Sequence, residues 1–282
     1  MKNPYRTQNI AFFFLFLATL LVVIPVGLIV IIIIQKGLPA INWQFLSDVP
    51  RQGMRAGGIF PAIVGTIYLV TGAIIFALPI GLLAAIYLSE YSKDNLLNRL
   101  IKLAIVNLAG VPSVVYGLFG LALFVVFFKF GASILAGSLT LGIMILPIII
   151  TTSREALESV PYSFREVSWS LGVSRWQTIR NIVLANAIPG ILTGTILAIG
   201  RAAGETAPIL FTVAAFYLPQ LPKSIFAQAM ALPYHLYVIS TQVPNVDEKI
   251  RYGTALVLLT LVLIVNLIAI IIRAKFRKRK NW

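Results

Sequence analysis

Apolar residues in this chain gather into six long runs separated by short polar segments, over roughly 10–34, 59–88, 103–128, 132–152, 187–218 and 253–272. Each is about as long as the ~20 residues a membrane-crossing helix needs. The pattern predicts an all-α polytopic membrane protein, six transmembrane helices in one domain over 1–282, with both termini on the same side. Pro61, Gly65, Gly72, Pro79 and Gly81 interrupt the second run, and Asn107, Gly110, Pro112, Ser113, Gly117 and Gly120 the third, which is the least regular. In lipid such breaks persist only where neighbouring helices or a cavity satisfy the freed backbone groups, so a packed bundle is expected. The breaks suit close small-residue packing and kinked helices around a path equally well.

One polar interval stands out, from Arg154 to Asn186. Ser163 with Glu166, and Ser174 with Gln177, have capping-box spacing and predict two short helices. Gly172 between them suits a left-handed turn. Val160, Phe164, Val167 and Leu171 recur at helical spacing, as do Trp176, Ile179 and Val183. Each helix of this elbow is therefore expected to bury one apolar face.

Charge decides the orientation. The chain is 59% hydrophobic and 11% charged, yet its formal net charge is +14. With the N-terminus inside, fifteen of the 23 Lys and Arg residues lie on the inner side: Lys2, Arg6, Lys93, Arg99, Lys102, Arg154, Arg165, Arg175, Arg180 and the six of 273–280. Seven lie outside and Arg201 falls within a run. The positive-inside rule then places the elbow and both termini in the cytoplasm. The basic C-terminal tail reads as an anchor at anionic lipid, and no nucleic-acid partner is expected. The helix–glycine–helix pattern also fits a DNA-reading motif, but an elbow tethered at both ends close to lipid cannot enter a major groove. The uncharged run after MKNPYRTQNI exceeds the ~7–15 apolar residues of a secretion signal, so a retained span is expected. Cysteine is absent and His235 is the sole histidine, which excludes disulfides and thiolate metal sites and leaves no metal or catalytic cluster.

The fifth run carries the chemistry. Arg201 lies about fourteen residues into it, or ~20 Å at 1.5 Å per residue, so it is expected well inside the bilayer. A central charge costs about 2.5–3.5 kcal/mol on insertion scales and is tolerated when paired or facing an aqueous path. Glu205, four residues on, allows a local ion pair. The other reading has the planar guanidinium of Arg201 contacting an oxyanion in transit. No G-x-x-x-x-G-K-[ST] loop occurs, so the chain is expected to bind no ATP of its own in that way.

Glu166, Gly172 six residues on, and Ile182 and Leu184 at sixteen and eighteen resemble the EAA loop of ABC importer permeases. Val167 and Ser168 replace its alanines, and Ala185 its closing proline. Two further stretches, LAGVPSVVYGLFG from Leu108 and RAAGETAP from Arg201, resemble the PstA family of phosphate-importer permeases, and the likeness covers nearly the whole chain. The resemblance implies a MetI-like permease fold in the inner (plasma) membrane. It implies a path for inorganic phosphate that includes Arg201, Glu205 and Thr206. It also implies a coupling loop over 154–186 in which Phe164, Glu166, Val167, Leu171, Gly172 and Trp176 meet an ATPase. The implied partners are a PstC-like second permease, two PstB-like ATPases carrying ATP and Mg, and a PstS-like phosphate-binding protein. Alternatives are a permease for molybdate, sulfate or a phosphonate, and an ATP-independent anion channel or carrier.

Overall fold

The computed structural model describes residues 4–277; Lys2 and the basic residues 278–280 lie outside them. The long helices are α1 (Pro4–Gly37), α2 (Phe60–Ile86), α5 (Ile134–Glu158), α8 (Leu184–Gly204) and α11 (Glu248–Arg277). Among the described residues five helices are long and apolar enough to cross a membrane, or six if one bent pair counts as a span.

That bent pair is the third apolar run. It does not form one straight helix: α3 (Leu96–Ala109) and α4 (Ser113–Gly120), which continues as a π-helical stretch to Phe127, meet at 102°. Pro112 supplies no N–H and disfavours a helical conformation in the residue before it, so the break falls at 110–112. The Tyr116 hydroxyl donates to the Leu108 carbonyl across the bend at 2.7 Å and staples it.

The core is built on α5. Small residues let α2 and α8 approach it closely, so backbone packing holds the bundle. A Cβ on Gly81 of α2 would stand 2.7 Å from Ile149 Cγ2, and one on Gly190 of α8 would stand 2.5 Å from Ala156 Cβ. Leu69, Ala73, Ala77, Leu141, Met144 and Ile145 are fully buried at this contact. Helix α1 leaves its apolar side chains exposed over most of its length and touches the bundle near Gly37, where Lys36 pairs with Glu248 of α11 at 2.9 Å.

Two connections carry structure of their own. Residues 50–57 form a two-residue antiparallel hairpin, Pro50 opposite Gly57 and Arg51 opposite Ala56. The elbow consists of α6 (Tyr162–Ser170) and α7 (Arg175–Thr178), which runs through a π-helical turn (Ile179–Val183) directly into α8. A second apolar cluster, with Ala85, Ile86, Leu157, Val160, Ile179 and Val183, seats the elbow against the ends of α2 and α5.

Candidate functional site

The fifth apolar run does not continue as helix to Leu218. Helix α8 stops at Gly204, Glu205 adopts an extended conformation (φ −76°, ψ 134°), and a short helix α9 (Ala207–Thr212) follows. Pro208 explains the stop: in a continuous helix its ring would meet the Gly204 carbonyl, whereas early in a new helix its missing N–H costs nothing. Arg201 therefore lies in the last turn of α8.

At this break Arg201 Nε stands 3.5 Å from Glu205 Oε1, with the two side chains 31% and 19% exposed. The N–H groups on both terminal guanidinium nitrogens have no partner among the described residues. Thr206, half-buried, occupies the N-cap position of α9 without a capping bond. Helix α4 lies alongside: a Cβ on Gly117 would stand 3.0 Å from the Ala207 carbonyl oxygen and from Pro208 Cα, and Tyr116 is within electrostatic reach of Arg201. Folding thus joins the two stretches 108–120 and 201–208, separated by some eighty residues of chain, around a cation with unused donors. Such a guanidinium can take an oxyanion through two parallel hydrogen bonds.

The elbow follows its predicted turn but not its predicted faces. Gly172 has φ +78°, its amide donates to the Trp169 carbonyl at 2.9 Å, and the Val173 amide donates to Ser168 at 3.2 Å, the paired bonds of a Schellman turn. Ser174 and Gln177 form the expected capping box. Ser163 and Glu166 do not: Pro161 occupies the N-cap and the helix begins at Tyr162, which leaves Ser163 two positions too far in to cap it. Along α6 and its flanks, Val160 before the helix is buried and Phe164 half-buried, whereas Val167 and the C-cap residue Leu171 are exposed, Leu171 at 78%. The buried face holds Arg165 and Ser168 instead, the latter bonded to Thr178 of α7 at 2.8 Å. In the π-helical turn after α7, Ile179 and Val183 are buried as expected, but Trp176 of α7 is exposed. Glu166 points outward with Val167, Leu171 and Trp176. Polar side chains with buried partners outcompete the apolar ones for the inner face, and an apolar face is left for solvent or a partner.

The sequence did not single out Glu90, the buried partner of Arg165 at 2.6 Å. Its signal was present: a carboxylate closing an apolar run is expensive unless paired. His235 is buried, and no group of metal-ligating side chains occurs among the described residues.

A bundle of long apolar helices, a helix broken at a charged pair and an exposed elbow between two spans together define a multi-pass membrane permease. The chain belongs to the family of binding-protein-dependent transport system inner membrane components, whose model matches residues 77–282. It is 34% identical over 266 residues to the probable ABC transporter permease protein YqgI of Bacillus subtilis, covering 89% of this chain and 90% of that one. It is also 34% identical over 281 residues to the phosphate transport system permease protein PstA 1 of Mycobacterium tuberculosis, with 97% and 90% covered. Among solved structures, a permease chain of a bacterial ABC transporter for alginate aligns with a TM-score of 0.64 at 15% identity, covering 96% of this chain and 99% of that one. A chain of the MetNI methionine transporter aligns with a TM-score of 0.62 at 15% identity, covering 77% and 97%. The fold is that of ABC importer permeases of the MetI kind.

Proposed function

We propose that this chain is the permease subunit of an ATP-driven importer of inorganic phosphate. The observation that carries the reading is Arg201, held at a helix break with both terminal nitrogens unused, in a chain whose relatives include several named as phosphate permeases. Arg201 takes the phosphate oxyanion in transit, Glu205 accepts a hydrogen bond from its protonated oxygen, and Thr206 lines the same break. The path is completed by a second, PstC-like permease and fed from outside by a PstS-like binding protein. The elbow faces the cytoplasm with both termini, and its exposed Val167, Leu171, Trp176 and Glu166 dock, beside Phe164 and the Gly172 turn, on one of two PstB-like ATPases. Those subunits bind ATP and Mg; this chain binds neither. The complex resides in the plasma membrane.

The test is radiolabelled phosphate uptake at micromolar concentration, in cells lacking this chain and complemented with wild type or Arg201→Gln at matched membrane levels. Loss of a charged hydrogen bond to the anion costs about 1.5–3 kcal/mol, a fall in uptake of roughly ten- to a hundredfold. Wild-type uptake by Arg201→Gln removes the residue from the path. Failure of the wild-type chain itself, with its partners present, overturns the substrate and turns attention to other oxyanions.

A further inference from the structure

Helix α2 ends in a π-helical turn, Tyr87–Tyr91, and the carboxylate of Glu90 in that turn points inward. Arg165 of the elbow meets it in two parallel bonds, Nη2 to Oε1 at 2.6 Å and Nε to Oε2 at 3.2 Å. The two side chains are only 8% and 6% exposed. The same guanidinium donates to the Val160 carbonyl at 2.8 Å and to Leu157 at 3.1 Å, at the end of α5. Arg175 of the second elbow helix donates to the Glu90 carbonyl and lies 4.9 Å over the ring of Tyr91. Both elbow helices are thus bonded to the last turn of one span, across 75 and 85 residues of chain. A cavity of about 390 Å³ opens beside these bonds, lined by Ser89, Glu158, Tyr162 and Trp169, so polar bonds bridge a gap that packing leaves.

Apolar contacts such as those of Ile179 and Val183 can slide by fractions of a side chain. A buried bidentate pair has one geometry and a large penalty for leaving either charge alone. We infer that Glu90 is a positioning residue for energy coupling, which with Arg165 and Arg175 forces the elbow and α2 to move as one body when the ATPase closes. The inference rests on the elbow's proposed role as the ATPase contact, and it is independent of the substrate.

The experiment uses the full complex with its copurified ATPase in proteoliposomes. This chain contains no cysteine, so nitroxides can be placed at Tyr68→Cys on α2 and Ser163→Cys on the elbow, both exposed. From Tyr68 to Glu90 the helix alone spans about 30 Å, a separation suited to electron–electron dipolar distance measurement. With the clamp intact, one narrow distance is expected that is the same without nucleotide and in the vanadate-trapped state. In Glu90→Gln the distribution broadens or shifts by several ångströms on trapping, while ATP hydrolysis stays within about twofold of wild type. Arg165→Lys, which keeps the charge but cannot make two parallel bonds, falls between; it serves alone if Glu90→Gln does not assemble. A narrow, unchanged distance in the variants, or a changing one in the wild type, overturns the inference. Phosphate uptake by the same wild-type vesicles reads separately: its absence overturns the substrate while the distance result stands.

Discussion

The turn between the elbow helices offers the sharpest test of how sequence sets this structure. Gly172 sits at φ +78°, and a Cβ built there meets nothing within 4 Å. Any effect of substitution must therefore come from backbone conformation and not from crowding. A left-handed conformation costs an L-residue about 1–2 kcal/mol, less for Asn, whose short polar side chain bonds locally. It costs most for β-branched residues, which rarely adopt it. Gly172→Asn should thus stay within a few tenths of a kcal/mol of wild type, Gly172→Ala should lose about 1–2 kcal/mol, and Gly172→Val more, with each 1.4 kcal/mol a tenfold shift in the population of the closed turn. The assay is hydrogen exchange at the Gly172 and Val173 amides, whose bonds to Trp169 and Ser168 define the turn. Retention of the ATPase on purification follows it as a functional readout. An order that tracks side-chain volume, with Asn as damaging as Val, would refute the conformational account and show that the elbow packs against something in the complex.

Two further outcomes follow from Glu205 and His235. Glu205→Gln should lower discrimination against sulfate, because sulfate carries no proton at neutral pH for the carboxylate to accept; phosphate uptake with sulfate as competitor checks this, and unchanged selectivity removes Glu205 from substrate recognition. His235, on the helix α10 (Leu232–Thr241) of the segment between α9 and α11, is buried, its Nδ1 has no partner among the described residues, and burial lowers its pKa from 6.5 to about 4. The neutral form belongs to the folded state, so the full stability holds above pH 6.5 and is lost as pH falls from there toward 4, by about 3 kcal/mol at the low end. Thermal unfolding of the purified protein against pH should show this slope in wild type and a flatter one in His235→Gln.

Much of the fold was written in local pattern. The long apolar runs require helices because a bilayer leaves no water to satisfy the backbone. Gly172 and the Ser174–Gln177 box each made the turn their residue types dictate, and Arg201 paired with Glu205 because four residues on a helix bring two side chains to one face. These features reach no further than one helical turn. Pro208 also announced the end of α8, although the length of the apolar run concealed it.

Tertiary structure decided the rest. Hydropathy measures how apolar a segment is and not which way it runs, so the 102° bend at 110–112 and the stop at Gly204 left the apolar count of their runs unchanged. Helical spacing placed Val167, Leu171 and Arg165 around α6, but which face turned inward depended on Glu90, 75 residues away. The join between the 108–120 and 201–208 stretches likewise has no local signal, because it follows from how α4 and α9 pack beside α5. Sequence by itself determined the class of molecule, its helices and its tight turns, since these rest on solvent and nearest neighbours. Only the packed bundle decided which distant charges meet and which apolar residues stay exposed, because those outcomes depend on a competition among partners that the chain brings together only when folded.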